Sequence, residues 1–221
     1  MKITSKLHAF IWNSMTTNNC NTYLIESSKR ILIDPGHAEL FGHVLEGLDQ
    51  LGLAIKDIDL VICTHAHPDH LESAAMFKRE KVLFAIHEIE WNWLKEMNAN
   101  IRGSYGIVIE AIHPDFLLKE GRLTLGDIQL WVIHTPGHSK GSICLYWPEE
   151  NALFTGDLVF QSGFGRTDLP GGDSEQLKAS IQKVAELDVK WLLPGHGNII
   201  SSTGEVKANF DQISQIMTTY L

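Results

Sequence analysis

No stretch of the 221 residues stays apolar long enough to span a bilayer, and Met1 to Lys6 lack the apolar centre of a secretory leader. No run of five basic residues occurs, and 18 Lys and Arg against 27 Asp and Glu leave a net charge of −9. That balance offers nucleic acid no electrostatic footprint. Cysteine is scarce. Cys20, Cys63 and Cys144 are odd in number and lie in apolar segments, which favours buried thiols in a reducing compartment over a disulfide framework. Linker-like stretches and internal repeats at solenoid periods are also missing, so one domain spanning residues 1–221 is expected. These absences predict a cytoplasmic protein that engages neither membrane nor nucleic acid. Its 44% hydrophobic and 20% charged content is ordinary for a globular chain with a full core.

Histidine, by contrast, is abundant: eleven residues, and clustered. The densest cluster is Thr64-His65-Ala66-His67-Pro68-Asp69-His70, which follows the apolar run Leu60 to Cys63, read as a buried strand, and precedes Leu71 to Arg79, read as a helix. Residues two apart on an extended chain point the same way, so His65 and His67 can converge on one point. Pro68 keeps His67 out of the α region and then suits a first helical turn, so Asp69 and His70 leave in another direction.

The rest of the chain places more such groups at strand ends. Leu7 to Trp12, Asn21 to Glu26 and Arg30 to Asp34 read as an antiparallel meander. Asp34 ends its strand where a carboxylate can hold a ligand histidine from behind. Ala38 to Leu51 has helical spacing with Gly52 as its stop, Val82 to Ile86 reads as a strand, and His87 to Asn98 as a helix. Trp91 and Trp93 are expected in the core, and His37 and His43 in loops or on the surface. Residues 99 to 115 have weak periodicity and read as a loop excursion or part of a lid.

A hairpin follows, Leu123 to Leu125 and Ile128 to His134 around Gly126-Asp127. In His134-Thr135-Pro136-Gly137-His138 the Pro-Gly pair forbids a helix that would align both imidazoles. Only His138, at the tip of the turn, is therefore expected as a ligand, with His134 packed or supporting. Ser142 to Trp147 and Ala152 to Phe154 make another hairpin, and Thr155-Gly156-Asp157 again ends a strand in an aspartate. Gln161 to Asp173 is a glycine-rich loop whose one cation is Arg166. A helix over Ser174 to Leu187, a strand at Trp191 to Leu193, the turn Pro194-Gly195-His196-Gly197 and a helix over Val206 to Tyr220 complete the chain.

His65, His67, Asp69, His70, His138, Asp157 and His196 thus offer only nitrogen and oxygen donors. Structural zinc sites favour thiolates, so this set reads as catalytic with open positions. Seven ligands exceed what one tetrahedral ion takes and suit two ions about 3.5–4 Å apart. His65, His67 and His138 would hold the first, Asp69, His70 and His196 the second, and Asp157 would bridge.

T-H-A-H-P-D-H, T-P-G-H, T-G-D and P-G-H-G, in this order from Asn21 to about Glu205, resemble the metallo-β-lactamase-fold hydrolase superfamily. The resemblance implies an α/β fold, a four-layer αβ/βα sandwich with the metal site at one edge between two mixed sheets. Within it, Gly163 to Asp173 (G-F-G-R-T-D-L-P-G-G-D) is similar to the glyoxalase II-like branch and to persulfide dioxygenases. Three departures stand out. Glyoxalase II proper has a further helical glutathione-binding domain, whereas 25 residues follow His196 here. Its loop carries lysine and tyrosine where this chain has Arg166 and Asp168. Many relatives have Gly-Gly where this chain has Glu72-Ser73. The β-lactamases themselves generally lack the bridging aspartate and work behind a signal peptide.

The resemblance implies an enzyme: a thioesterase or esterase of the hydroxyacylglutathione hydrolase kind. It would use two divalent ions, zinc foremost with iron or manganese as alternatives, on a small-molecule thioester or ester. Asp69 would orient the nucleophile and carry a proton to the leaving group, and Arg166 would meet a substrate carboxylate or else brace its loop against Asp168 or Asp173. The alternative is a mononuclear iron persulfide dioxygenase, in which His65, His138 and Asp157 would hold iron.

Overall fold

A computed structural model of the chain describes residues 1–14, 16–100 and 111–220. Most of the weakly periodic stretch 99 to 115 therefore lies outside the described residues. Internal contacts divide the chain into two compact units, Met1–Leu118 with Thr124–Ile128 and Lys119–Leu123 with Gln129–Leu221.

In the first unit, β1 (Leu7–Phe10), β2 (Thr22–Glu26) and β3 (Arg30–Ile33) form the expected antiparallel meander. β4 (Leu60–Ile62), β5 (Leu83–His87) and β6 (Phe116–Leu118) then add in parallel, giving a mixed sheet in the order β1-β2-β3-β4-β5-β6. Leu60, Val61 and Ile62 are all buried, as a strand covered on both faces must be. The helices are α1 (Gly42–Asp49), α2 (Pro68–Leu71), α3 (Ala74–Lys78) and α4 (Glu88–Asn100). Val44, Leu48, Phe77, Trp91 and Leu94 from these helices pack with Leu24, Leu32, Val61 and Phe84 of the sheet in one core. Each such apolar side chain contributes about 1.5–3 kcal/mol when fully buried.

A second sheet, most of whose residues belong to the second unit, comprises β7 (Gly121–Leu125), β8 (Ile128–His134), β9 (Ile143–Trp147), β10 (Ala152–Gly156), β13 (Trp191–Pro194) and β14 (Ile200–Ser201) in the order β14-β13-β10-β9-β8-β7. β10 runs parallel to β13 and antiparallel to β9, so this sheet is mixed as well. β11 (Val159–Phe160) and β12 (Gly163–Phe164) form a small ribbon at the entry to the glycine-rich loop. Leu177, Ile181 and Val184 of α5 (Ser174–Ala185) and Val206, Phe210 and Ile213 of α6 (Thr203–Tyr220) close the core over Leu153 and Leu192. Two mixed sheets in a mixed α/β chain agree with the fold class read from the sequence. Among the described residues no helix is long and apolar enough to cross a membrane.

One expected helix is broken. The sequence reads as a helix over Leu71 to Arg79, yet α2 stops at Leu71 and α3 spans only Ala74 to Lys78. The cause is tertiary: the Ser73 N–H donates to the Gly36 carbonyl at 2.9 Å instead of continuing the helical ladder. Glu72 turns its carboxylate to the Ala38 N–H and to His37 Nδ1, at 3.2 and 2.9 Å. Glu72 and Ser73 thus tie α2 to the turn after β3. β6, β14 and the β11–β12 ribbon were not anticipated, being two or three residues long.

Candidate metal centre

Each unit presents its own set of donors. In the first, β4 delivers Thr64 and the chain stays extended through His67 (φ −66°, ψ 146°) before Pro68 opens α2, as the Pro68 argument requires. His65, His67, Asp69 and His70 are all buried, at 1%, 6%, 8% and 0% exposure. Polar groups are buried at such density only where partners or ions compensate them. His65 Nε2 lies 3.0 Å from His67 Nδ1, and the His65 and His70 rings lie 4.1 Å apart between centroids. Two nitrogens about 2.1 Å from one tetrahedral ion stand about 3.4 Å apart. The first pair therefore has nearly the separation of two ligands on one ion.

Asp34 supports two of these rings. It ends β3 with φ 53°, a left-handed conformation that aspartate tolerates better than most residues, and is 2% exposed. Its carboxylate accepts the Thr64 N–H and hydroxyl, both at 2.7 Å, and pairs with His70 Nδ1 at 2.9 Å. The Thr64 hydroxyl, having donated to Asp34, receives His65 Nδ1 at 3.1 Å. One aspartate thus fixes the tautomer and orientation of His70 directly and of His65 through a threonine, directing both Nε2 atoms away from it.

Two residues the sequence reading did not single out join this set. Glu90 of α4, fully buried, accepts the Ala66 N–H at 2.9 Å and so holds the backbone between His65 and His67. Glu90 shares a helix face with the buried Trp93 and Leu94, and a glutamate on an apolar stripe was a legible signal. Asn18, in the exposed loop between β1 and β2, donates its amide to Asp69 Oδ2 at 2.7 Å. No periodicity could have marked it.

In the second unit, Gly137 takes φ 132° in the turn before His138, and its carbonyl accepts the Asp173 N–H at 2.8 Å. His138 Nδ1 donates to the Arg166 carbonyl at 2.8 Å, which turns Nε2 towards Asp157. Asp157 Oδ2 lies 3.4 Å from His138 Nε2 and 3.4 Å from His196 Nε2. Both distances match the separation of two donors sharing one ion. His134, whose Nε2 bonds the Lys140 carbonyl at 3.1 Å, braces its own loop.

One glycine of the glycine-rich loop, Gly165, has a clear structural reason. A Cβ on Gly165 would collide with the Asp157 carbonyl oxygen and come within 3.1 Å of His138 Nδ1. Gly165→Ala should therefore overpack the loop at a cost of about 1–3 kcal/mol and lower the melting temperature by roughly 2–10 °C. Zinc added before the scan should recover less of that loss than it adds to the wild type. An unchanged melting curve would mean the loop relaxes freely.

Arg166 itself makes a bidentate pair with Asp168, at 2.7 and 2.6 Å, and both side chains are well exposed. The guanidinium holds the Asp168 carboxyl down at about 2. Asp173 is engaged elsewhere, capping α5 through the Gln176 N–H at 3.0 Å. All three cysteines are buried and free, and burial pushes the Cys63 thiol well up and that of Cys144 to about 12. Such thiols are inert. The donors in both sets are nitrogen and oxygen, and Nδ1 of His65, His70 and His138 is held by a hydrogen bond. That chemistry fits divalent transition metals.

A model of the metallo-beta-lactamase superfamily matches residues 15–196. The chain belongs to that superfamily. All seven donor residues lie within the matched span. A probable metallo-hydrolase of Methanocaldococcus jannaschii is 38% identical over 187 residues, covering 81% of this chain and 88% of that one. The hydroxyacylglutathione hydrolase GloC of Haemophilus influenzae is 32% identical over 199 residues, covering 86% and 91%. That similarity agrees with the glyoxalase II-like resemblance of Gly163 to Asp173. Among solved structures, TTHA1623 in a di-iron-bound form matches with a TM-score of 0.70 at 30% identity, over 86% of this chain and 93% of that one.

Proposed function

We propose that this protein is a metal-dependent hydrolase that cleaves a small-molecule thioester or ester, with both units forming one catalytic domain. His65, His67 and His138 would hold one ion, Asp69, His70 and His196 the other, and Asp157 would serve both. Zinc is the foremost candidate. The observation that carries this reading is Asp157 Oδ2 at 3.4 Å from the imidazoles of His138 and His196, which belong to different ions in the proposal. The hydrolase names of the relatives and the two irons of TTHA1623 support it.

When bound, the ions supply a hydroxide at neutral pH, by lowering the pKa of water to about 7, and polarise the scissile carbonyl. The chain does the rest. Asp69 orients the attacking oxygen and carries its proton to the departing thiolate or alkoxide. Asp34, Thr64 and Glu90 keep the imidazoles of the first unit in place without touching substrate. The Arg166 fork, paired with Asp168 at rest, exchanges that partner for a substrate carboxylate.

Zinc-reconstituted protein under argon should hydrolyse several small thioesters, with S-lactoylglutathione handled at a high KM. Binding contributed by a remote handle affects KM before kcat, and the loop tyrosine of glyoxalase II is replaced by Asp168. Absence of thioester and ester cleavage across such a panel would reject the reading.

A further inference from the structure

Asn18 is an exposed residue whose amide reaches a buried carboxylate: its Nδ2 donates to Asp69 Oδ2 at 2.7 Å. The loop that carries it is braced on both sides of this contact. Before it, the Trp12 indole donates to the Thr17 carbonyl at 2.9 Å. The Ser14 hydroxyl accepts the N–H groups of Thr16 and Thr17 at 3.2 and 3.1 Å, and the Thr17 hydroxyl at 2.8 Å. After it, Asn19 is buried and its Oδ1 accepts the His37 N–H at 2.8 Å. Trp12 is in turn held by its own N–H on Asn21 Oδ1 at 3.0 Å and by an edge contact with His43 at 5.2 Å. Asn13, Ser14 and residues 16 to 19 are all small or polar and supply no apolar anchor of their own. These bonds present one amide at one place.

An amide Nδ2 has hydrogens to give and no lone pair to accept with. Opposite a carboxylate it can only donate, so it occupies Oδ2 and fixes the torsion that sets where Oδ1 points. Asp69 follows Pro68 in a helix of four residues, too short to hold a side chain rigidly by itself. We propose that Asn18 is a positioning residue for Asp69, occupying Oδ2 so that Oδ1 is the oxygen given to the second metal ion and to the reacting water. The inference rests on the metal-dependent reading above. Asn18 touches neither substrate nor ion in it. Its function is to hold Asp69 in the one orientation that serves both tasks.

The test uses the full-length protein loaded with cobalt, whose visible d–d bands report the geometry of each site. Asn18→Leu keeps the size and removes the donor. Asn18→Gln returns a donor on a stem one methylene longer. Because Asn18 is exposed, both variants should melt with the wild type. Loss of a group that orients a ligand typically costs 10–100-fold in metal affinity or activity. Asn18→Leu should accordingly bind the second cobalt ion about tenfold more weakly in chelator competition, with altered bands for that ion and the first ion unaffected. Thioester kcat should fall about tenfold with KM within twofold of wild type, and Asn18→Gln should regain part of both losses.

Wild-type affinity and bands in Asn18→Leu would overturn the proposal, and so would a rise in KM alone, which marks a substrate contact. The metal readouts need no turnover. If the wild-type protein binds two cobalt ions but cleaves no thioester, the hydrolase reading fails while the Asn18 proposal stands or falls on affinity and spectrum. If Asp69 ligates nothing, as in a mononuclear site of His65, His138 and Asp157, Asn18→Leu leaves the metal untouched and the proposal is wrong.

Discussion

Asp157→Ala should empty both metal positions and lower thioester turnover on the order of a thousandfold or more. A carboxylate shared by two ions contributes to each, so its loss weakens both sites together, whereas His65→Ala should chiefly empty the first. The magnitude follows by comparison: removing one preorganised transition-state donor already costs about 10²–10³-fold, and this substitution removes the source of the nucleophile. Metal analysis by mass spectrometry, before and after dialysis, reads the stoichiometry directly. Lowering the pH should release the ions in the wild type, because imidazoles bind only as neutral ligands. Contrary results would be a fully loaded wild-type protein with a single ion, or an Asp157→Ala variant that keeps two.

The second large effect concerns Asp69. Asp69→Asn keeps the shape and one oxygen ligand but can no longer take up and deliver a proton, so kcat should fall by about 10²–10⁴-fold, the usual contribution of a positioned acid–base group. KM should change little, since the lost interaction belongs to the reaction step. Substrates with better leaving groups should suffer less, because they need less proton transfer on departure. A variant with both metals and full turnover would reduce Asp69 to a structural ligand.

Much of this architecture was legible in the sequence because the strands that build it are locally determined. Leu60 to Ile62 is apolar on both faces, Pro68 dictates an extended His67, and Gly52 and Gly137 take the positive φ that their turns need. What escaped depends on contacts between residues far apart in the chain. The break between α2 and α3 exists because Ser73 bonds Gly36 and Glu72 bonds the 37–38 turn. β6 and β14 are short strands that pair because a neighbour is already in place. At the site, the donor histidines and aspartates announced themselves by residue type and by their place at strand ends. Their supports did so unevenly. Asp34 was readable as a carboxylate at a strand end and Glu90 as a charge on an apolar face. Asn18, one polar residue among several in a loop, has a partner 51 positions away.

The G-R-T-D stretch suits a thioesterase and a persulfide dioxygenase alike, so the chemistry has to be separated by what it consumes. A hydrolase needs water alone and works with zinc, whereas the dioxygenase needs ferrous iron and molecular oxygen. Zinc-loaded and iron-loaded protein should therefore be compared in an oxygen electrode with glutathione persulfide, alongside a thioester assay on the same samples. Thioester cleavage by the zinc form, with no oxygen uptake by either form, is the expected result; iron-dependent oxygen uptake with no thioester cleavage by either form would contradict it.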